Sequence, residues 1–577
     1  MICEIDFPDI DGGRWRMRFV QPHRLFITHV LDEVPTVIAQ AEAAARDEHW
    51  VVGFVAYEAA PAFDPALQVK AATAALPLAA FAVYGSYDEA LTTDAKDRDS
   101  FACGRWSMTA SRSAIDAGIA DIRAAIGNGD YYQVNYTTRL ESKFSGSAAA
   151  LYAALCEAQP DGYGAYLDGG EWQIASASPE LFFDWTPDRT LTTRPMKGTA
   201  PRTASVDALR DSAKERAENL MIVDLLRNDL ARVAETGSVA VTRLFDIEPL
   251  PTAWQMTSTV RCKTRTEVTL VDVFRALFPC GSVTGAPKVA AMQAIAELES
   301  TPRGVYCGAI GLIRPNGHAT FNVAIRTVAV DAKTGTARCG IGSGITLDST
   351  AAAEYAEWLV KRRFLLHATA AFDLIETLRL EAGHYWLLDR HLRRLQDSAE
   401  HFGFDCDVDG IRRKLEGNVR QHSKSAWRVR LLLGRDGSVK LETHALEASP
   451  AIVRVALALT PIDSGSETLQ HKTSERAIYA PHAPASADIF DTLLFNERGE
   501  VTEFTRGNVV VELDGKRITP PLSCGLLPGV LRAELLASGE VSEAIVMRAD
   551  LARATRLWFI NSVRGELLAQ IVGPVIP

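Results

Sequence analysis

Long hydrophobic runs are missing from this sequence of 577 residues. No apolar stretch reaches the ~18 residues that a helical membrane span needs, so a membrane is not an expected partner. A basic excess is missing too. Lys and Arg number 61 against 72 Asp and Glu, a formal net charge of −11, which argues against a nucleic-acid footprint. It leaves anionic small molecules open, because local arginines decide that. The nine cysteines are scattered without a CxxC pair, which predicts reduced thiols in a cytoplasm rather than disulfides or a zinc site. The start, Met1-Ile2-Cys3-Glu4-Ile5-Asp6, lacks the basic region of a signal peptide. There is no low-complexity tract and no short repeat. What is present is length and apolar content, 47% hydrophobic. At roughly 100–200 residues per domain this is more than one domain, with ample core.

One stretch organises the rest: Arg194-Pro195-Met196-Lys197-Gly198-Thr199-Ala200-Pro201-Arg202. Pro and Gly specify an irregular backbone around the lysine, which reads as a turn after the strand-like Thr190–Thr193. A lysine held there and buried loses basicity and becomes a nucleophile. A solvated loop lysine is the alternative.

Periodicity predicts the flanking elements. A helix covers about 34–47, and 51–58 reads as a buried strand. A helix from Ser113 stops at Gly129 before an alternating strand in which Gln133 and Asn135 share a face. That face lines a pocket or satisfies a sheet edge; spacing leaves both open. Residues 171–184 read as a hairpin turning at Ser178-Pro179-Glu180. A helix over about 211–235 has Leu220, Val223, Leu226 and Leu230 as its core stripe, with Glu215 and Glu218 on another face. The loop Gly281-Ser282-Val283-Thr284-Gly285-Ala286-Pro287-Lys288 fails the GxxxxGK[ST] spacing, yet a Gly-rich helix start offers N–H groups to an anion. A hairpin over 306–330 follows, with Arg326 inside an otherwise apolar strand. A charge there needs a partner, either an internal ion pair or a bound carboxylate. The glycines of Gly340-Ile341-Gly342-Ser343-Gly344 permit close approach by a ligand. Ser349 can cap the next helix, which carries Glu354 and Glu357. The two glutamate pairs are solvated faces unless they jointly hold a hard cation. Near 370 the pattern changes and a second domain begins.

In order, these motifs resemble those of the chorismate-utilising enzymes: the lysine loop, Glu218–Asp229, Gly281–Lys288, and Gly340–Thr346 with its trailing Glu354 and Glu357. The resemblance covers about 1–365 and implies an α/β (α+β) fold of large sheets with peripheral helices. Members making anthranilate carry alanine where Lys197 stands; those making aminodeoxychorismate carry lysine. Water-adding members have a lysine base at the Gln133 position, and glutamine suits ammonia. The resemblance therefore implies attack of Lys197 on chorismate, then amination. It also implies magnesium on Glu215, Glu218, Glu354 and Glu357, and substrate contacts from Tyr306, Arg326, Gly342, Ser343, Thr284 and Gln133. Gln255 departs from the family histidine, which opens the identity of the leaving-group acid; Lys288 and Lys361 are candidates.

The second half, 372–577 after a linker at 366–371, resembles the fold-type IV pyridoxal-phosphate enzymes, aminodeoxychorismate lyase among them, with two subdomains. The matches are His391–Leu395, His471–Arg476, Val501–Glu503 and Leu527–Arg532. The resemblance implies that Lys472 carries the cofactor, that Glu503 pairs with its pyridine nitrogen, and that Arg394, Gly529, Val530, Leu531 and Ser562 hold its phosphate. It further implies a homodimer through this half. No cysteine lies in a GxCxGxQ-type turn, so the glutaminase that supplies ammonia is expected on another chain. The alternatives are an aminotransferase or a non-catalytic partner-binding module in the second half, and an anthranilate synthase in the first.

Overall fold

Alternating and continuous apolar runs build the first unit, Met1–Ala370, around two large sheets. A computed structural model describes residues 1–9, 13–89, 101–201, 205–249, 253–369, 372–422, 425–466, 469–484, 486 and 488–572. One sheet has the spatial order Gly285–Ala286, Gln133–Gly146, Thr336–Ile345, Thr327–Asp331, Trp172–Ser178, Tyr163–Asp168, Ile2–Pro8, Arg14–Phe19, Asp88–Glu89. The other runs Met196–Pro201, Ala253–Lys263, Thr190–Arg194, Leu181–Trp185, Ala319–Val323, Ala309–Ile313, Trp50–Val55, Ala79–Tyr84, Arg24–Thr28. Phe7, Phe19, Phe54 and Leu312 fill the space between the sheets. The helices Val34–Arg46 and Leu270–Leu277 cover one outer face through Ile38 and Phe274. Arg112–Asn128, Ala148–Ala158, Lys288–Leu298 and Ala351–Lys361 cover the other through Ile119, Leu151, Ile295 and Trp358. The result is a helix–sheet–sheet–helix sandwich.

Several expectations change. Residues 171–184 are no hairpin: Trp172–Ser178 and Leu181–Trp185 belong to different sheets, and Ser178-Pro179-Glu180 crosses between them. The expected strand through Val330 likewise breaks, with Ala319–Val323 in one sheet and Thr327–Asp331 in the other. Arg326 sits at that crossing with φ of 50°, not inside a strand. Apolar period shows that a segment is a strand but not which sheet it joins. Lys197 lies in a strand, Met196–Pro201, rather than a turn; the register shifts between Met196 and Thr199. Gly198, at φ of 97°, makes that bulge possible. Arg202 lies outside the described residues. The helix Ala213–Ala231 buries Ile222, Val223, Leu226 and Leu230, whereas Leu220 is 44% exposed. Thr350, not Ser349, caps the Ala351–Lys361 helix.

The second unit, Ala371–Pro577, has a small and a large sheet. Leu374–Glu381 and Trp427–Leu433 centre the small one, with the helices Leu388–Phe402 and Val408–Val419. The large sheet has the order Val501–Phe504, Asp491–Phe495, Ile452–Leu457, Gly565–Ile571, Arg556–Asn561, Asn508–Leu513, Lys516–Thr519, Ser542–Glu543. The Lys472 segment docks on the small sheet: the Ile375 N–H donates to the Lys472 carbonyl at 2.8 Å. The helix Arg363–Thr369 runs through the first part of the expected linker, 366–371, and residues 370 and 371 lie outside the described residues. Among the described residues no helix is long and apolar enough to cross a membrane.

Candidate active sites

The two crossings in the first unit run side by side. The Val323 N–H donates to the Glu180 carbonyl at 3.0 Å, and the Ala177 N–H to the Arg326 carbonyl at 3.1 Å. Lys197 stands nearby with its backbone clamped. Asn219 Nδ2 donates to the Lys197 carbonyl at 3.3 Å, and Gln255 Nε2 to the Gly198 carbonyl at 2.8 Å. Gln255 is thus a holder of the lysine strand. The Lys197 side chain is half-buried, not buried as a desolvated nucleophile would be. Its charge bears instead on four carboxylates: Glu180, Glu215, Glu218 and Glu357.

Opposite the lysine is Gln133, fully buried, with neither amide atom hydrogen-bonded among the described residues. Such a group costs stability unless a ligand completes it. A methyl group on Gly344 would lie 2.1 Å from Gln133 Nε2 and 3.0 Å from Lys197 Nζ. The bare glycine backbone is what lets these two groups converge. Of the two readings of the Gln133 face, the satisfied sheet edge is therefore not what the geometry contains.

Glu180 carried no role in the sequence reading. Its signal was an acid at a proline-marked junction, and only the sheet crossing explains it. Its carboxylate accepts from the Ser282 hydroxyl at 2.7 Å. Burial pushes its pKa up to about 7 against the pull of Ser282 and Lys197. It can hold or release a proton at neutral pH beside the amine, as acid catalysis requires. A carboxyl raised in this way contributes stability that is fully present below its ordinary value and is lost as pH rises through about 7. Glu180→Gln is therefore expected to be more stable than the parent at pH 8, by at most about 3 kcal/mol, in urea unfolding. Equal stability there would show that burial does not hold the carboxyl up.

The remaining residues divide. Arg326 has no ion pair among the described residues; its guanidinium lies 5.9 Å from the Phe364 ring centre, and burial lowers its pKa to about 10. Of its two readings, the internal ion pair is not there. Lys288 is spent on Asp229 at 2.8 Å. Lys361 reaches Glu357 at 2.7 Å and the Gly342 carbonyl at 3.1 Å. Tyr306 lies in a turn before the Ala309–Ile313 strand and covers Gly340, where a methyl group would lie 2.1 Å from its ring. The Thr284 hydroxyl donates to the Cys280 and Gly281 carbonyls and closes its own loop. The Ser343 hydroxyl accepts from Trp358 Nε1 at 2.7 Å and donates to Glu354.

Ser349 also donates to Glu354, at 2.6 Å. Both oxygens of Glu354 are thus engaged, which sets it apart from the other three glutamates. Among the described residues no three acidic, His or Cys side chains form a metal cage. Glu215, Glu218 and Glu357 still couple: burial raises Glu218, and the charges of Glu215 and Glu357 raise it further. Oxygen donors that repel one another fit a hard cation, with Glu357 now balanced by Lys361.

In the second unit burial lowers Lys472 to about 8, helped by the Arg394 charge. Burial raises Glu503 to about 7; it accepts from Tyr479 at 2.8 Å, the Leu527 N–H at 3.1 Å and Asn508 at 3.3 Å. Arg394 donates to Glu376 through Nε and Nη2, at 2.8 and 2.7 Å, and through Nη1 to the Pro528 carbonyl at 3.1 Å. The helix Val530–Ala537 starts there on Gly529 with no side-chain cap, leaving the first-turn N–H groups to an anion. A Cβ on Gly529 would lie 1.7 Å from Asn508 Oδ1, so only glycine fits. Ser562 follows the Arg556–Asn561 strand and is buried. A cleft of about 350 Å³ beside Arg394, His471 and Pro528 opens onto this corner. An amine, a buried carboxylate and an uncapped helix start fit the aldehyde, ring nitrogen and phosphate of pyridoxal phosphate.

The first unit is thus a two-sheet sandwich with Glu180 and Arg326 at its crossings and Lys197 beside them. The chain belongs to the chorismate binding enzymes, whose model matches residues 13–367. Residues 373–569 match the class IV amino-transferases. Aminodeoxychorismate synthase component 1 of Klebsiella aerogenes is 40% identical over 269 residues, 45% of this chain and 59% of that protein. Anthranilate synthase component 1 of Streptomyces coelicolor is 38% identical over 271 residues, 46% of this chain and 52% of that protein. The chain thus spans little more than half the length of these relatives. The crystal structure of anthranilate synthase component I from Streptococcus pneumoniae superposes with a TM-score of 0.51 at 26% identity, over 63% of this chain and 90% of that one.

Proposed function

We propose that the chain converts chorismate and ammonia to 4-aminobenzoate in two steps, one in each unit, for folate synthesis. The observation that carries the first step is the meeting of the Lys197 amine and the unpaired Gln133 amide over Gly344. Arg326 binds a substrate carboxylate. Magnesium, held by Glu215, Glu218 and Glu357, would neutralise another carboxylate, with Glu354 positioning Ser343. Lys197 Nζ attacks C2 while Glu180 protonates the C4 hydroxyl, which leaves as water. Ammonia, oriented by the Gln133 amide, adds at C4; the ring double bond shifts back and Lys197 departs. The product is 4-amino-4-deoxychorismate. A separate glutaminase chain supplies the ammonia.

In the second unit pyridoxal phosphate, when bound, supplies an electron sink for the substrate amine. Glu503 holds the proton on the ring nitrogen. Arg394, the Gly529–Leu531 helix start and Ser562 hold the phosphate. Lys472 Nζ takes the proton from substrate C4, pyruvate leaves, and the ring becomes aromatic. The match to amino-transferases favours a second reading, transamination, which incubation with 2-oxo acids and an amino donor tests. The deciding experiment is mass spectrometry of products from chorismate and ammonium. Aminobenzoate plus pyruvate is expected with the cofactor, and accumulating aminodeoxychorismate without it. Anthranilate in either sample would refute the first step.

A further inference from the structure

Two guanidinium groups act on the Lys472 amine, those of Arg394 and Arg476. They are not equivalent. Arg394 is ion-paired with both oxygens of Glu376. Arg476, four residues after Lys472, is exposed and has no carboxylate partner among the described residues. Its Nη2 donates to the Thr505 carbonyl, and its guanidinium lies 4.6 Å over the Tyr479 ring. Tyr479 in turn donates to Glu503, and Thr505 follows Glu503 by two residues. Arg476 is therefore tied to the segment carrying the buried acid directly through Thr505 and indirectly through Tyr479. Among the described residues Glu503 makes no ion pair with it, and its oxygens accept from Tyr479, Leu527 and Asn508.

We propose that Arg476 anchors a carboxylate of the amine substrate in the second unit, and so restricts that site to carboxylated amines. The proposal rests on the reading of that unit as pyridoxal-phosphate-dependent. A guanidinium held by an aromatic ring and one carbonyl keeps a planar N–H edge free, which matches a carboxylate in a two-pronged contact. The contact adds binding and no new chemistry: the proton transfer stays with Lys472 and the anion-binding helix start with Arg394. Aminodeoxychorismate bears two carboxylates and needs such a cation.

The test compares the full-length parent with Arg476→Gln and Arg476→Lys, all loaded with pyridoxal phosphate. Pyruvate release from aminodeoxychorismate and the absorbance of the bound cofactor are measured. Arg476→Gln is expected to raise KM about 10- to 100-fold, with kcat and the cofactor spectrum little changed. Lysine should recover part of the loss, having the charge without the fork. A simple dicarboxylate should inhibit the parent and lose potency against Arg476→Gln. An unchanged KM would overturn the proposal; so would loss of the cofactor band in Arg476→Gln, which would assign the residue to the cofactor. Absence of that band from the parent would overturn the reading of the unit itself.

Discussion

Alanine at Lys197 is expected to stop amination of chorismate, with the rate falling roughly 10⁴-fold or more. On the proposed route the lysine forms the covalent bond that divides one hard substitution into two, and the other lysines near it are already engaged. Lys288 is ion-paired with Asp229 and Lys361 with Glu357. The loss should be chemical rather than structural. Asn219 and Gln255 hold the strand through backbone carbonyls that alanine retains, and the side chain is only half-buried. Arg326 remains, so chorismate should still bind with near-parental affinity by calorimetry. A second signature follows from charge. Lys197 is among the groups that lower Glu180, so the midpoint of that carboxyl should rise further in the variant, read by infrared difference titration. Substantial turnover by the alanine variant with ammonium would replace the covalent route by direct displacement.

Removing Lys472 should separate the two steps. Given chorismate, ammonium and pyridoxal phosphate, full-length Lys472→Met is expected to accumulate aminodeoxychorismate, release no pyruvate and lack the visible band of bound cofactor. Liquid chromatography with mass detection reads the first two and absorbance the third. Stability carries its own sign. A lysine depressed to about 8 contributes stability that is present above its ordinary value of 10.5 and is lost as pH falls through about 8. Without cofactor, Lys472→Met should therefore be more stable than the parent at pH 7, by at most about 3 kcal/mol. A parent–variant difference that is the same at pH 7 and at pH 10 would argue that the amine is not desolvated.

These effects reach beyond each lysine because the acids around them are tuned by burial. Glu180 and Glu503 are both raised to about 7, yet their partners differ. Glu180 has a serine hydroxyl and a neighbouring amine, suited to passing a proton. Glu503 is held by a phenol, a backbone N–H and an amide, suited to keeping one partner fixed. The same residue type serves two tasks because its surroundings differ.

The sequence by itself determined what is local or carried by motif order. The helix Val34–Arg46 and the stop at Gly129 were legible, because helical period and capping act over a few residues. Tertiary structure alone decided which charges are paired. Lys288 meets Asp229 from 59 residues away, and Gln255 meets Gly198 from 57. It likewise sent Trp172–Ser178 and Leu181–Trp185 into different sheets, which brought Glu180 to Lys197 and left Arg326 without an ion pair among the described residues. Strand partners are chosen by burial across the whole unit, so no window of sequence contains that choice.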